Sequence, residues 1–315
     1  MRKFLPALPL SSLHRMIRRG LIRLNGGTAK PEALLEVGDK IEIPMFLCEA
    51  ESGSPWVETT AQGADSIKTM ILAETEDLLI LNKPAGVLVH GSHNSLEAKA
   101  QRHLGPRMPP SLSFVPGPLH RLDRNTSGVI VFSKSIIGAK SFTESMQAGK
   151  IRKTYLAILQ GRMEGNYEWE DYVLRDEKSR KSTATPFHQD LSVKALPRTD
   201  RLGQKALTSV HTILSNQAHS FVALRIKTGR THQIRSQAAA RGYPLAGDFK
   251  YGALRQQGNS SDKRVNYFLH AWRLEIQGVP MEIKAPIPKN YLQIIKKIFA
   301  LDEKEVYSLL RQSKI

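Results

Sequence analysis

One cysteine, Cys48, stands among 315 residues. An internal disulfide is therefore impossible, and a zinc site built on several thiolates is excluded. No stretch approaches the roughly 18 consecutive apolar residues that a membrane-spanning helix needs. Acidic residues are few and unevenly placed. Asp and Glu number 29 against 46 Lys and Arg, a net charge of +17 at pH 7, and none of them precedes Glu32. An imbalance of this size favours polyanionic partners. Several signatures of cofactor and metal chemistry are missing as well: a Walker phosphate loop, a GxGxxG fingerprint, a GxSxG elbow and an HExxH helix. The ten histidines show neither zinc-finger spacing with a cysteine partner nor an i, i+4 pairing, and read as hydrogen-bonding groups. No metal and no cofactor is expected. The basic, then apolar start resembles a short secretory signal only superficially, because Pro6 and Pro9 interrupt it and no small-x-small cleavage site closes it. A cytoplasmic protein, monomeric and without a membrane partner, is the expectation.

What the chain does contain is ordinary globular material, 41% hydrophobic and 24% charged, enough for a packed core. Leu13, Met16 and Ile17 recur at helical spacing behind Ser11 and Ser12, either of which can cap a helix. Gly20 stands where a left-handed C-terminal cap is expected. A strand over 21–24, the turn Asn25-Gly26-Gly27, a second turn at Val37-Gly38-Asp39 and a returning strand over 40–43 complete a small module. Arg15, Arg18 and Arg19 are spaced three and four apart, so their guanidinium groups share one helix face. A solvated basic face is the plain reading. Arg23 on the next strand and Lys30 beyond the turn, with no carboxylate close by in sequence, favour a grip on phosphates instead.

Residues 49–67, rich in Ser, Gly, Thr and Ala, read as a linker. The expected division is a module over 1–48, this linker, and a second domain over 68–315. In the second domain strands are expected over 78–81, 87–89, 129–132 and 155–159, a hairpin over 209–214 and 221–226, and a strand over 272–276. Helices are expected over 96–104, 136–147 and 231–241, with two more closing the chain from 289 and from 302. Strands and helices without a regular βαβ repeat give an α+β class, with a mixed, largely antiparallel sheet flanked by helices and loops.

Three segments carry unusual chemistry. His120-Arg121-Leu122-Asp123-Arg124-Asn125-Thr126-Ser127-Gly128 sets a lone carboxylate between two arginines just before an apolar strand. An Asp in a turn, bonding nearby amides, explains the same residue types, and composition leaves the matter open. Thr228-Gly229-Arg230-Thr231-His232-Gln233-Ile234-Arg235 leads through a glycine turn into a helix with Thr231 near its cap, and Ala238 to Ala240 allow that helix to pack closely. Lys153-Thr154-Tyr155 opens a strand whose tyrosine is a buried aromatic or a stacking platform.

Taken with their order, these runs resemble known families. Ser12 to Gly20, with Ile22-Arg23-Leu24-Asn25-Gly26 and Val37-Gly38-Asp39-Lys40-Ile41, is similar to an S4 RNA-binding domain. His120-Arg121-Leu122-Asp123 with Thr126-Ser127-Gly128 resembles the central motif of the RluA-type pseudouridine synthases. Asn82-Lys83-Pro84-x-Gly86 with Val89-His90 resembles their upstream motif, and Arg152-Lys153-x-Tyr155 and 228–235 their downstream motifs. Gly247-Asp248 with Tyr251-Gly252 also fits. Among subgroups the likeness is greatest to enzymes acting on large-subunit ribosomal RNA.

The resemblance implies an isomerase that breaks the C1′–N1 bond of a uridine, turns the uracil and rejoins it through C5. It implies Asp123 as the essential carboxylate, either attacking C1′ or removing the 2′ proton; the sequence does not choose. It implies Arg235 as the partner of Asp123, Arg121 as a wedge for the extruded base, and Tyr155 against the uracil with its hydroxyl available for proton transfer. Arg124 is expected along the RNA path, Lys83, Arg230 and His232 are expected to contact phosphate or line the cleft, and Arg15, Arg18, Arg19 and Arg23 are expected to bind RNA on the S4-like module. The stretch 175–205 adds eight Lys and Arg against four Asp and Glu, consistent with an extended RNA footprint. The expected partner is 23S ribosomal RNA or a ribosome precursor. Two other readings stay open: a tRNA pseudouridine synthase, and a non-catalytic RNA-binding ribosome-assembly factor. The second would be marked by a replaced Asp, Tyr or Arg, and Asp123, Tyr155 and Arg235 are all present.

Overall fold

The computed structural model describes residues 17–18, 20–30, 32–43, 67–107, 114–176, 178–186, 203–254, 267–277 and 282–313. Arg15, Arg19, the start of the first expected helix, nearly all of the linker and residues 187–202 lie outside the described residues. The chain divides into two compact units, 1–69 with 99–117, and 70–98 with 118–315. No helix among the described residues is long and apolar enough to cross a membrane.

In the first unit three short strands, β1 (Arg23–Leu24), β2 (Gly27–Thr28) and β3 (Ile41–Glu42), form a sheet in the order β2-β1-β3. The turn between β1 and β2 places Asn25 at φ 51° and Gly26 at φ 77°. Two consecutive positive φ angles suit a two-residue hairpin loop and explain the Asn-Gly pair. Asn25 also ties the distant turn, donating to Asp39 Oδ1 at 2.8 Å and accepting from the Lys40 N–H at 2.7 Å. Gly20 has the positive φ, 68°, expected of a helix stop.

The second unit is α+β. Its strands are β4 (Ile71–Glu74), β5 (Leu78–Lys83), β6 (Gly117–Pro118), β7 (Ser127–Ser133), β8 (Ile151–Gln160), β9 (Asn166–Asp176), β10 (Lys181–Pro186), β11 (Gln204–Ser215), β12 (His219–Ile226), β13 (Leu269–Ile276) and β14 (Glu282–Lys284). They lie in one sheet along the path β10-β9-β11-β12-β8-β13-β7-β5-β4, with β14 beside β13 and β6 beside β7. Along this path only β13 and β7 pair in parallel, through His270 with Ser127 and Ala271 with Gly128. The helices are α1 (Leu96–Leu104), of which the residues from Lys99 onward belong to the first unit, α2 (Ile136–Gln147), α3 (Gln233–Ala240), α4 (Lys289–Phe299) and α5 (Glu303–Gln312).

Helices α4 and α5 close one core, in which Tyr291, Ile295, Val306 and Leu310 meet Leu156, Ile158, Phe221 and Trp272. Phe142 of α2 belongs to a second core with Ile80, Val129 and Val131. With cover on both faces, β7 and much of β8 read as unbroken apolar runs rather than alternating ones. Helix α5 starts as its sequence suggests, with Asp302 and Glu305 forming a reciprocal capping box.

Helix α3 is different, because its buried residues are mostly polar. Gln233, Arg235, Ser236 and Gln237 are all buried. Gln233 bonds the Leu207 carbonyl and the Thr208 hydroxyl, that hydroxyl donates to Gln237, and Gln237 donates to the fully buried Asp171, which Arg241 also grips. The network fixes α3 in one register against β9 and β11, because a shift leaves several interior groups unpaired.

Four sequence expectations need correction. Residues 87–89 are not a strand: the carbonyls of Leu88 and Val89 accept from the backbone of Leu96 and Glu97 at the start of α1, and that of Val87 accepts from Lys83 Nζ. The segment spends its hydrogen bonds on a helix start and an ammonium. Helix α3 starts later than the expected residue 231: its cap is His232, at φ 55° and without a side-chain cap bond, with Thr231 beside it. Strands β9 and β10 were not foreseen, because charged and aromatic residues dominate β9 and the buried member of its alternation includes Asp171. Lys83 is fully buried and cannot meet a phosphate.

Gly128 lies where β7 meets β13. Its φ is +108°, and a Cβ there would stand 2.1 Å from the Ala271 carbonyl oxygen. Gly128→Ala is expected to destabilise the protein by about 3 kcal/mol or more through combined strain and overlap, read as a fall in the denaturant midpoint at unchanged slope.

Candidate active site

The loop that enters β7 carries Asp123 and is tied from several sides. A turn bond joins the Thr126 N–H to the Asp123 carbonyl at 3.1 Å, and the Gly86 N–H donates to the Arg124 carbonyl at 2.8 Å. Lys83 Nζ donates to the carbonyls of Pro84, Val87 and Arg124 at 3.0, 2.8 and 2.9 Å. Burial pushes the Lys83 ammonium down to about 7, against the pull of the Asp123 charge. Three carbonyls around one nitrogen nonetheless use all three donors of the protonated form. On the far side of the loop, Ser127 Oγ lies 2.8 Å from His270 Nδ1 and His270 Nε2 is 3.2 Å from the Ala285 carbonyl. The carbonyl can only accept, so Nε2 carries the proton and the serine hydroxyl donates to Nδ1.

Helix α3 supplies the cation. Arg235 donates through Nε and Nη2 to the two oxygens of Asp248 at 2.7 and 2.9 Å, and through Nη1 to Asp123 Oδ2 at 3.2 Å. Its guanidinium carbon lies 4.7 Å from the ring centre of Tyr251 and 4.4 Å from that of Tyr267. Both lie within the range of favourable cation–π contact. The Tyr267 hydroxyl also donates to Asp123 Oδ2, at 3.4 Å. Burial works against the arginine charge, but the Asp248 hydrogen bond and the fields of Tyr267, Asp248 and Asp123 more than offset it, raising its pKa. The Asp248 side chain is 0% exposed, that of Arg235 7% and that of Asp123 24%. Only the third group opens toward solvent.

It opens into a cavity of about 520 Å³, lined among others by Arg121, Asp123, Lys153, Tyr155, Arg230, His232 and Arg235. Tyr155 stands on β8. Burial, then the Asp123 charge, raises its pKa, so its phenol keeps its proton near neutral pH and can give it up only to a stronger base. His120 stays neutral: burial and Lys153 push it down to about 3, and its Nε2 accepts the Val131 N–H at 3.2 Å. Burial also lowers the pKa of Lys153.

The structure thus brings Asp123, Tyr155, Arg235, Arg121, Arg230 and His232 to one cavity. Arg121 is exposed at its edge. Arg230 is anchored, donating to the Lys205 carbonyl and to Gln204 Oε1 at 3.0 and 2.9 Å. Arg124 is not part of the cavity lining and donates from Nε to the Gly86 carbonyl at 3.0 Å, so it clasps two loops. Arg18 and Arg23, both exposed, belong to the other unit. Sequence reasoning assigned no role to Asp248, Tyr251 or Tyr267. Asp248 and Tyr251 lay within a quoted motif, whereas no pattern marks Tyr267.

Asp248→Asn keeps the shape of the side chain but removes the charge that anchors Arg235. Breaking a buried pair in this way is expected to cost about 3 kcal/mol of stability and to lower turnover at least as sharply as it lowers stability, measured by chemical unfolding and by product formation at saturating substrate.

A family profile described as RNA pseudouridylate synthase matches residues 77–240. Ribosomal large subunit pseudouridine synthase C of Escherichia coli K12 is 31% identical over 313 residues, covering 95% of this chain and 91% of that protein. The protein of the same name from Haemophilus influenzae is 29% identical over 310 residues, covering 93% and 88%. Among solved structures, Human RNA Pseudouridylate Synthase Domain Containing 4 superposes with a TM-score of 0.61 at 22% identity, covering 75% of this chain and 97% of that one, which supports the fold. The profile match and the 31% relative, with a carboxylate, a guanidinium and a tyrosine meeting at one cavity, place this chain in the RNA pseudouridylate synthase family, isomerases that convert uridine to pseudouridine.

Proposed function

We propose that the enzyme acts on uridines of large-subunit ribosomal RNA and that Asp123 is its reacting group. The observation that carries the assignment of Asp123 is its geometry: a partly exposed carboxylate at the cavity, held by a guanidinium that is itself locked to a second, buried carboxylate. RNA entering the cavity displaces water, and loss of solvent penalises an unpaired anion. Arg235 supplies the compensating charge before substrate arrives. The ribosomal substrate is supported by the names of the relatives that match along nearly the whole chain, and by the +17 charge.

The target uridine must leave its stack, at a cost of a few kcal/mol. Arg121, exposed at the cavity edge, fills the vacated place with a planar cation. Inside, Asp123 reaches the ribose, the C1′–N1 bond breaks, the uracil turns, and C5 forms the new bond to C1′. The C5 proton is then lost and N1 gains one, so atoms balance without a co-reactant. Attack at C1′ and removal of the 2′ proton both begin from this placement of Asp123. In this reading Tyr155 stands against the base, and its hydroxyl, protonated in the free enzyme, takes the C5 proton only as it passes its own proton on, so the relay leaves the tyrosine unchanged. The module over 1–48, S4-like in sequence, adds a grip on RNA through Arg18 and Arg23. The enzyme works as a cytoplasmic monomer in this reading.

Pseudouridine maps of ribosomal and transfer RNA from cells with and without the protein test the substrate. A set of sites missing from large-subunit RNA alone is expected, restored by the parent and not by Asp123→Asn; losses confined to tRNA would refute the ribosomal assignment. Tyr155→Phe is expected to bind RNA normally while product formation falls by about 100-fold or more, and parental rates in that variant would remove the proton-transfer role.

A further inference from the structure

Every hydrogen bond and ion pair that the described residues make with the Asp123 carboxylate falls on a single oxygen, Oδ2. Arg235 Nη1 lies 3.2 Å from it, the Tyr267 hydroxyl 3.4 Å and His232 Nε2 3.8 Å. The reaction described above gives the third group no task. His232 is the residue before α3, at φ 55°, and its side chain is 16% exposed.

Its other nitrogen fixes where the ring proton sits. His232 Nδ1 is 2.8 Å from the Tyr251 hydroxyl oxygen, and that oxygen already accepts the Ser182 N–H at 2.8 Å. The tyrosine proton needs an acceptor of its own; the Ser182 hydroxyl also lies near Tyr251 but is turned to the Thr231 carbonyl, so the acceptor at hydrogen-bond distance is His232 Nδ1. Nδ1 therefore accepts, and the proton of the neutral ring stands on Nε2, toward Asp123. Burial lowers the His232 pKa; Asp123 acts against this, while Arg235, Lys250 and Arg175 add to it. The surroundings thus favour the neutral ring. At 3.8 Å Nε2 is short of a hydrogen bond to Oδ2, so the ring acts on the carboxylate through the dipole of its N–H.

We propose that His232 is a positioning residue for Asp123: with its tautomer set by Tyr251, it joins Arg235 and Tyr267 in holding Oδ2, so that Oδ1 is the oxygen presented to the ribose. The proposal rests on Asp123 being the reacting group. It also departs from the expectation that His232 contacts phosphate, a role for which the cavity lining alone would serve equally well.

The test is single-turnover kinetics and equilibrium binding on an unmodified large-subunit ribosomal RNA transcript, with His232→Asn, His232→Gln and Tyr251→Phe compared against Asp123→Asn. Asparagine tolerates the left-handed backbone and places an amide near Nδ1, but does not reach Asp123. Glutamine carries an amide N–H to about the place of Nε2. His232→Asn is expected to slow the chemical step by about 10- to 100-fold with RNA affinity and its salt dependence unchanged. His232→Gln is expected to recover most of that rate, and Tyr251→Phe to show part of the same loss. A weaker affinity with a salt slope reduced by about one and an undiminished rate would make His232 a phosphate contact and overturn the proposal. So would equal rate losses in the Asn and Gln forms. Failure of the underlying functional reading looks different, since Asp123→Asn would then turn over at the parental rate.

Discussion

Arg235 carries one positive charge and meets two carboxylates. Asp248, wholly buried, takes the bidentate side of the guanidinium, and Asp123 takes the remaining direction through Nη1. Two tyrosine ring centres lie 4.4 and 4.7 Å from the guanidinium carbon and add cation–π attraction to the ion pairs. The division of labour follows from exposure. The buried carboxylate holds the cation in place, and the cation holds the carboxylate that faces the cavity. A lysine in this position would offer a point charge without the fixed fork that reaches both partners.

The scaffold serves that arrangement from two directions. The Asp123 loop leads into the one parallel pairing along the path of the sheet, where Gly128 allows β7 to press against the Ala271 backbone. The Lys83 ammonium gathers three carbonyls around the same loop. Arg235 is placed by α3, whose register is set by the network from Gln233 through Thr208 and Gln237 to Asp171. An apolar helix face tolerates sliding more readily than a chain of interior hydrogen bonds does. The polar core beneath α3 therefore supplies position more than it supplies hydrophobic stabilisation.

Much of this was legible in the sequence. The apolar runs behind β5, β7 and β8, the hairpin of β11 and β12, and helices α1, α2, α4 and α5 all follow from periodicity and capping residues. The site was legible in part, as motifs whose order mattered more than their composition. What escaped has physical reasons. Strand β9 alternates correctly, but its inward set contains Asp171, which satisfies Gln237 and Arg241 instead of filling an apolar gap. Residues 87–89 are as apolar as a strand, yet their carbonyls are claimed by α1 and Lys83. Lys83 looked like a phosphate ligand because a charge in a loop motif is usually outside, whereas three carbonyls make its burial tolerable. Asp248 stood in a motif but meets Arg235 from 13 residues further along the chain, and Tyr267 from further still, so no local pattern announces either contact.

The central claim is that the Arg235 guanidinium governs the reactivity of Asp123 and not the grip on RNA. Replacing Arg235 with Met, which keeps the bulk and removes the charge, and measuring the single-turnover rate alongside the dissociation constant for ribosomal RNA, tests it directly. The account predicts a collapse of the rate, about 1,000-fold or more, with the dissociation constant changed only a few-fold in folded protein. A parental rate in Arg235→Met would contradict it, and so would a loss confined to RNA affinity.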